Sequence, residues 1–559
     1  MRALRHPAHP GRSASILCVP RFAAALLWGG LLLTGCDNDG MSDTGGPEPD
    51  IVGQAAITID TGVDRAPISP YIYGSNQDRP SDVWTVRRLG GNRLTGYNWE
   101  NNFSNAGNDF QHSSDRFLLS NAGIPDAEAA EPGRVVTFFH DQSLQMGAES
   151  VVTLQMAGYV SRDDHGTVTE GETAPSARWV PVEPRKNAPF TTSPDLADDV
   201  VYMDELVYFL VQRYGDATSP NGVRWYSLDN EPALWFNTHP RIHAEPVGAA
   251  ELVQRTIDLA SAVKDVDPNS EILGPALYGF AAYLTLQEAP DWDQVNQGYT
   301  WFIDYYLDQL RQAEQTTGRR LVDVLDVHWY PEARGDNRIT ESNATTPADV
   351  TARLQAPRTL WDPAYTEASW IAGCCGTFLP ILPTLRQAID TYYPGTKLSV
   401  TEYNYGGGHT VSGGLAHADV LGAYGKYGVY LATLWGIGPN DAYTSAAYKL
   451  YRNYDGRGGT YGDTSVRAAT NDRDNTSVYA AIEGNDPAIL HVILINKNQQ
   501  GSLEMQVAIE SSTAYTSGEV WTLNAQSPSI VKRGEVTGIT GNAFTFVLAP
   551  TTAAHLVLQ

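Results

Sequence analysis

Residues 225–232 read Trp-Tyr-Ser-Leu-Asp-Asn-Glu-Pro, a short strand-forming run that ends in polar residues and a proline. Residues 397–404 (KLSVTEYN) follow the same plan, with a glutamate at the end of a similar run. Apolar runs of this length are typical of parallel strands buried on both faces. The two segments therefore predict two strands of one sheet, which carry Glu231 and Glu402 at their carboxyl ends.

Outward from these segments, short apolar strands alternate with helical patterns from residue 67 to residue 456, and this alternation indicates a parallel sheet. The predicted strands are 72–75, 88–95, 150–157, 224–228, 271–277, 321–328, 397–401 and 429–435. One helix is predicted to begin at Ser193-Pro194 and to end before Gly215. Eight such strands predict an α/β fold, a closed (β/α)8 TIM barrel, with a continuous doubly wound sheet as the alternative.

The predicted connections differ in length. Those from helix to strand have about three or four residues, whereas those from strand to helix are long: 96–132, 158–192, 329–379 and 403–413. Loops of this length are uncommon in compact domains unless they serve a site. All of them follow carboxyl ends of strands, so we expect one functional face there.

The two ends of the chain have a different texture. Residues 457–559 alternate apolar and polar residues between turns without a helical pattern, which predicts an antiparallel β-sandwich domain. Residues 55–66 alternate in the same way and are expected to add a strand to it. Residues 1–35 combine arginines with a short apolar run and predict a signal peptide. Residues 36–54 would be a flexible acidic tether.

The apolar run ends in Leu33-Thr34-Gly35-Cys36, which resembles a bacterial lipobox. On this interpretation Cys36 is acylated, and the protein is exported and attached to a membrane or cell surface through a lipid anchor only. An ordinary signal peptide that happens to contain a cysteine is the alternative. Of the other cysteines, Cys374 and Cys375 are adjacent. A vicinal disulfide and two free thiols both remain open for this pair.

The composition excludes some classes of protein. The formal net charge is −26 without a basic stripe, so nucleic acid is not expected as a partner. Motifs for phosphate, dinucleotide or zinc-protease sites are absent, and we expect no cofactor for catalysis and no catalytic metal. Asp472, Asp474 and Glu483 occupy calcium-loop positions, but Ser477 stands where glycine is needed. A structural calcium therefore lacks a clear motif.

Two carboxyl groups on one barrel rim are the chemical groups that glycosidic cleavage requires. One protonates the leaving oxygen and the other attacks the anomeric carbon, and a separation of about 5–5.5 Å fits the retaining route. From spacing alone the alternative is that Glu231 and Glu402 are buried acids paired with arginine.

Several motifs occur in order along the chain. They are 90–102 (GGNRLTGYNWENN), 227–235 (SLDNEPALW) with Thr238-His239, 401–408 followed by His409 and 412–414, 434–436, and 451–456 (YRNYDG). With these motifs the chain resembles glycoside hydrolase family 44 from about residue 55 onward, and the resemblance favours the catalytic interpretation. The resemblance implies a barrel with a β-sandwich built from both chain ends. It also implies retaining cleavage of internal β-1,4-glucan bonds, with Glu231 as acid/base and Glu402 as nucleophile.

Further residues are expected near the substrate. The resemblance implies that Asn230 binds the 2-hydroxyl of the sugar, with a turn role as the alternative. His328 and Tyr330 are candidates for orienting Glu402, although a structural His is the alternative for the first. Aromatic residues in or beside the long loops are candidate sugar contacts, and each has loop packing as its alternative. They are Trp99, Trp235, Trp329, Trp370, Tyr403 and Trp435.

We therefore expect an endo-acting hydrolase of cellulosic polymers, carboxymethylcellulose or xyloglucan. A retaining hydrolase of mannan or xylan is one alternative, and a catalytically inactive surface glycan-binding lipoprotein is another. The preferred glucan and the oligomeric state do not follow from the sequence.

Overall fold

Eight parallel strands close into a barrel in a computed structural model, which describes residues 50–76, 81–436 and 438–559. The strands are β1 (Gly74–Asn76), β2 (Val86–Leu89), β3 (Glu149–Leu154), β4 (Trp225–Leu228), β5 (Glu271–Leu277), β6 (Val324–Trp329), β7 (Lys397–Tyr403) and β8 (Leu431–Trp435). They pair in sequence order, and β8 pairs with β1. The predicted (β/α)8 barrel is confirmed, and the doubly wound sheet is wrong because such a sheet has free edges.

A main helix follows each strand from β2 to β8. These helices are α1 (Arg134–Gln145), α2 (Met203–Tyr214), α3 (Ala249–Val266), α4 (Phe302–Thr317), α5 (Ile381–Tyr392), α6 (Val411–Lys426) and α7 (Ala442–Arg452). The helix predicted from Ser193 begins only at Met203. Upstream, the carboxylates of Asp195 and Asp198 accept hydrogen bonds from the backbone N–H groups of Ala197 and Val200. These local bonds compete with helix formation.

The long loops at the carboxyl ends of the strands carry small elements of their own. Short strands occur at Ser104–Asn105, Ser113–Asp115, Tyr159–Ser161, Gly166–Thr167, Trp179–Glu183 and Val201–Tyr202. Short helices occur at Asn92–Thr95, Phe117–Ala122, Trp235–Thr238, Phe280–Thr285, Trp292–Val295, Pro347–Gln355 and Trp370–Cys375. The predicted strand 88–95 ends at Leu89, because residues 92–95 form the first of these helices.

The remaining strands form the predicted β-sandwich from both ends of the chain. They are Ile51–Asp60, Ala66–Pro67, Thr464–Thr470, Thr476–Glu483, Asp486–Asn496, Ser502–Glu510, Gly518–Asn524, Ser527–Val536, Ala543–Leu548 and Thr552–Leu558. Thr464–Thr470 joins the two layers, since its two halves pair with different neighbours. The N-terminal strand begins at Ile51, within the predicted tether 36–54, rather than at residue 55.

Helix α6 attaches the sandwich to the barrel. Within it Asp419 is buried, and its carboxylate accepts hydrogen bonds from the hydroxyls of Tyr479 and Ser477 of the sandwich, at 2.5 and 2.8 Å. Apolar residues of both parts belong to one continuous core around these bonds. The predicted signal peptide, lipobox and most of the tether lie outside the described residues. Within the described part, no helix has the length and apolar character that a membrane span requires.

The structure shows the state of the adjacent cysteines and the surroundings of the calcium-loop positions. Cys374 and Cys375 are joined in a disulfide, so the free-thiol alternative is wrong. Asp474 pairs with Arg358, and Asp472 accepts hydrogen bonds from Asn475, which is the hydrogen-bonding expected of a turn rather than of a calcium loop. Among residues 50–76, 81–436 and 438–559, one group of three candidate metal ligands comes together, and it lies at the barrel centre.

Candidate active site

Glu231 stands at a sharp turn after β4. Asp229 and Glu231 have left-handed backbones, with φ of 59° and 46°, which non-glycine residues adopt only when their surroundings hold them. The buried Asp229 carboxylate supplies that hold by accepting bonds from the Thr95 hydroxyl at 2.6 Å and from the N–H groups of Asn230 and Ala157 at 2.7 and 3.0 Å. Asp229 thus ties the ends of β3 and β4 to the loop after β2. The sequence interpretation missed this positioning residue.

Glu402 lies near the end of β7, almost fully buried. Its Oε1 accepts a 2.8 Å bond from Nη1 of Arg88, a wholly buried cation on β2, and its Oε2 accepts a 2.9 Å bond from the Tyr330 hydroxyl. Arg88 also donates to Asn230 Oδ1 at 2.9 Å. Bonds from a cation and a hydroxyl favour the ionised carboxylate.

The two glutamates face each other across His328. Its Nδ1 is 2.8 Å from Glu231 Oε1 and 3.5 Å from Glu402 Oε2, and one oxygen of each carboxyl lies within 4.8 Å of the other. His328 therefore bonds Glu231, whereas the sequence interpretation had it orient Glu402. Tyr330 occupies the expected position on Glu402. The separation of the carboxyl groups is close to the spacing of retaining glycosidases.

The two carboxyl groups have different environments. Burial raises the pKa of Glu231 to about 7, while the charge of Arg88 opposes and that of Asp109 adds to this rise. Burial and the charge of Glu231 also raise the pKa of Glu402, and the interactions with His328 and Arg88 oppose this rise. Burial lowers the pKa of His328 to about 4, so this imidazole is neutral near pH 7. The arrangement leaves the proton on Glu231 and the negative charge on Glu402.

An open cleft of about 730 Å³ leads to both glutamates. Trp435 at the end of β8 lies against Gly91, where a Cβ atom would come within 2.4 Å of the indole and where φ is +89°. Two exposed aromatic residues also line the cleft, Phe110 and Phe117, which are 60% and 46% exposed. Arg93 stacks on the Phe117 ring at 4.3 Å. The sequence interpretation concentrated on tryptophans and missed both phenylalanines.

Comparison with known proteins connects this geometry to a family. Residues 103–333 match the family described as glycoside hydrolase family 44. The chain is 55% identical over 519 residues to Endoglucanase A of Paenibacillus lautus, which is 92% of this chain and 74% of that protein. The chain belongs to glycoside hydrolase family 44.

Two further relatives agree with this membership. A Paenibacillus polymyxa xyloglucanase of family 44, solved with xyloglucan, is 54% identical with a TM-score of 0.89, over 90% of this chain and 99% of that chain. Beta-mannanase/endoglucanase A of Caldicellulosiruptor saccharolyticus is 51% identical over 502 residues, 88% of this chain and 38% of that protein. This family 44 protein is accordingly a glycoside hydrolase, and hydrolysis by the family requires no cofactor.

Some of the predicted contact residues of the family 44 hydrolase line the cleft, and the others do not. Asn230 lines the cleft, where its Nδ2 donates to Asn92 Oδ1 at 3.1 Å, and Tyr330 and Trp435 line it too. Trp370 is 39% exposed but lies outside this cleft, on the loop after β6.

Four other aromatic residues have no surface for a sugar, so their expected contact with substrate is wrong. Trp99 and Trp235 are fully buried, and Trp329 is 3% exposed. Trp99 packs on Phe209 of α2, with ring centres 5.6 Å apart. Tyr403, fully buried, points outward from the barrel and bonds the Tyr448 hydroxyl of α7. Loop packing was the alternative for the tryptophans.

Proposed function

We propose that this family 44 hydrolase is a retaining, endo-acting β-1,4-glucanase, with Glu231 as acid/base and Glu402 as nucleophile. The observation that carries the proposal is the pair of carboxyl oxygens within 4.8 Å of each other in different environments. Glu402 accepts bonds from Arg88 and Tyr330, whereas Glu231 shares a bond with neutral His328. A protonated acid beside an ionised nucleophile is what the retaining route requires.

In the first step a Glu402 oxygen attacks the anomeric carbon while the bond to the leaving oxygen breaks. The Glu231 proton moves to that oxygen, which leaves a glycosyl ester on Glu402 and a carboxylate on Glu231. In the second step a water gives its proton to Glu231 and its oxygen to the anomeric carbon, and Glu402 is released. Two displacements on one carbon preserve its configuration.

The order of the barrel strands supports a direction for the bound chain. Between β4 and β7 the barrel passes on one side through β5 and β6, and on the other through β8, β1, β2 and β3. Trp435 and Asn92 belong to the second side, as does Arg88, which bonds the nucleophile, and Asn230 at the end of β4 donates a hydrogen bond to Asn92. We infer that the sugar attacked by Glu402 lies on this side, and that its 2-hydroxyl meets Asn230. The leaving portion then extends over the loops of β5 and β6.

The substrate class rests on the relatives. One is described as an endoglucanase, one as a beta-mannanase/endoglucanase and one as a xyloglucanase. A β-glucan activity is common to all three names, which favours cellulosic polymers, carboxymethylcellulose and xyloglucan, and mannan is the alternative that the second name supports. The experiment is hydrolysis of these polymers by the purified protein beside mannan and xylan, with the anomer of the product followed by NMR. Faster hydrolysis of mannan or xylan would replace the substrate assignment. The absence of hydrolysis of every polymer would favour a binding protein.

Cys36→Ser is expected to release the enzyme from the membrane fraction into the soluble fraction. We propose that Cys36 is acylated, because the apolar run ends in Leu33-Thr34-Gly35-Cys36 and an acidic stretch follows. Fractionation of producing cells and mass spectrometry of the N-terminal peptide measure the effect. A wild-type protein that is fully soluble and begins after Cys36 would exclude the anchor.

A further inference from the structure

The disulfide between Cys374 and Cys375 lies beside the exposed Trp370. All three belong to the short helix Trp370–Cys375 in the loop after β6. Side chains four positions apart share one face of a helix, so Trp370 and Cys374 are neighbours on its surface. Trp370 is 39% exposed, and Cys374 is exposed as well. Trp370 and Cys374 therefore belong to one exposed surface of this helix.

This surface has a rigid base. Cys375 is half-buried against the main core, and Phe280, from the loop after β5, meets the Trp370 ring edge-on with centres 5.9 Å apart. Phe280 also contacts Phe378, which in turn packs on Trp301 at 4.7 Å. The Ser369 hydroxyl caps the helix by accepting a 3.1 Å bond from the N–H of Ala372. These contacts hold the side chains of the surface in place before a ligand binds, so binding here costs little side-chain entropy.

The surface lies on the side of the barrel opposite Trp435. It is built on the loops of β5 and β6, which lie between β4 and β7 in the barrel. Tyr278, two residues before Phe280, is half-buried and close enough to Glu231 for that carboxylate to add to the rise that burial causes in the Tyr278 pKa. A polymer that crosses the catalytic pair from the Trp435 side therefore leaves toward the loops that carry Tyr278 and Trp370.

We propose that Trp370 and the Cys374–Cys375 disulfide together form a binding platform for the leaving portion of a β-glucan chain. The proposal rests on the glucanase function proposed above. A pyranose presents a flat C–H face, which packs on indole, and the disulfide adds two polarisable sulfur atoms without a hydrogen-bond donor. The covalent bond holds the sulfur atoms in one arrangement beside the ring. A dithiol that reduces this bond becomes a disulfide itself, and its two electrons and two protons leave two polar thiols on the platform.

The test compares two substrates of the full chain. Cellohexaose extends over the platform, whereas an activated aryl cellobioside has a single ring as its leaving group. We expect Cys374→Ala/Cys375→Ala and Trp370→Ala each to lower kcat/KM for cellohexaose about tenfold, the scale of one aromatic contact. For the aryl cellobioside both should stay within twofold of wild type. Dithiothreitol should reproduce the cellohexaose loss in the wild type and change nothing further in the double cysteine variant.

Two outcomes would overturn the platform. One is unchanged kcat/KM for cellohexaose in the double cysteine variant, and the other is an equal loss on both substrates, which a merely structural disulfide would produce. If the wild type hydrolyses neither substrate, the proposed function fails by itself. Calorimetric binding of cellohexaose then tests the platform separately, because the double cysteine variant should bind about tenfold more weakly than the wild type.

Discussion

Glu402→Ala is expected to lose hydrolysis of every substrate, whereas Glu231→Ala loses polymers but keeps much of the first step on an activated aryl glycoside. Without Glu402 no covalent intermediate forms. Without Glu231 a good leaving group still departs unaided. A sugar leaving group needs the proton, so the loss of the general acid lowers the rate for polymers by roughly 10²–10⁴-fold. The measurement is a comparison of kcat/KM for an aryl cellobioside and a β-glucan in the wild type and in both variants.

Azide makes this comparison decisive. It needs no general base, so it should restore turnover of Glu231→Ala by attacking the glycosyl ester, and the product should be the β-glycosyl azide. In Glu402→Ala azide can only replace the missing carboxylate, and its product should be the α-anomer. NMR of the azide product distinguishes the two. Equal behaviour of the two variants on the aryl substrate, or inversion by the wild type, would contradict the assigned roles.

The sequence was sufficient for the barrel and for the position of Glu231 and Glu402 on one rim, while their catalytic roles stay a prediction. Buried parallel strands must be short and apolar, and strand ends on one rim converge, so the positions of Glu231 and Glu402 followed from 225–232 and 397–404. The sandwich followed less completely, since the alternation over residues 457–559 predicts a β-domain but does not delimit strands such as Ser502–Glu510 and Ser527–Val536. Ser527–Val536 is mostly exposed, and so it lacks the clear apolar alternation by which strands are recognised.

What the sequence could not show depends on contacts between distant segments. Trp99 resembled a sugar platform because it stands in a long loop, but Phe209 of α2 covers its ring. Phe110 and Phe117 stay exposed because the same loop turns their rings to the cleft. The bond between Arg88 and Glu402 joins residues 314 positions apart, and no local pattern distinguishes Arg88 from its neighbour Arg87. Only closure of the barrel brings the side chain of Arg88 on β2 into contact with Glu402 on β7.

Arg88→Met is expected to lower kcat/KM by on the order of a hundredfold or more, because two functions are lost together. The guanidinium bonds Glu402 at 2.8 Å and Asn230 at 2.9 Å with different nitrogens. Its removal leaves the buried Glu402 beside Glu231 without a cation, and it releases Asn230 from its fixed position. Arg88→Lys keeps a charge but not the planar fork, so it should recover part of the activity. Kinetics of both variants on one β-glucan measure the effect.

The pH profile shows whether Arg88 acts through Glu402. Because Arg88 lowers the pKa of Glu402, its loss raises that pKa, and the acidic limb of kcat/KM should move to higher pH. The alkaline limb, where Glu231 loses its proton, lies near its pKa of about 7 in the wild type. It should move upward as well, since Arg88 also lowers the pKa of Glu231.

Arg87→Met is the matched control, because Arg87 on the same strand packs over Phe139 of α1 at 4.3 Å. Both variants should lose stability, but only Arg88→Met should shift the limbs. If the two profiles coincide, Arg88 is a structural residue and the charge assignment of the catalytic pair needs another source.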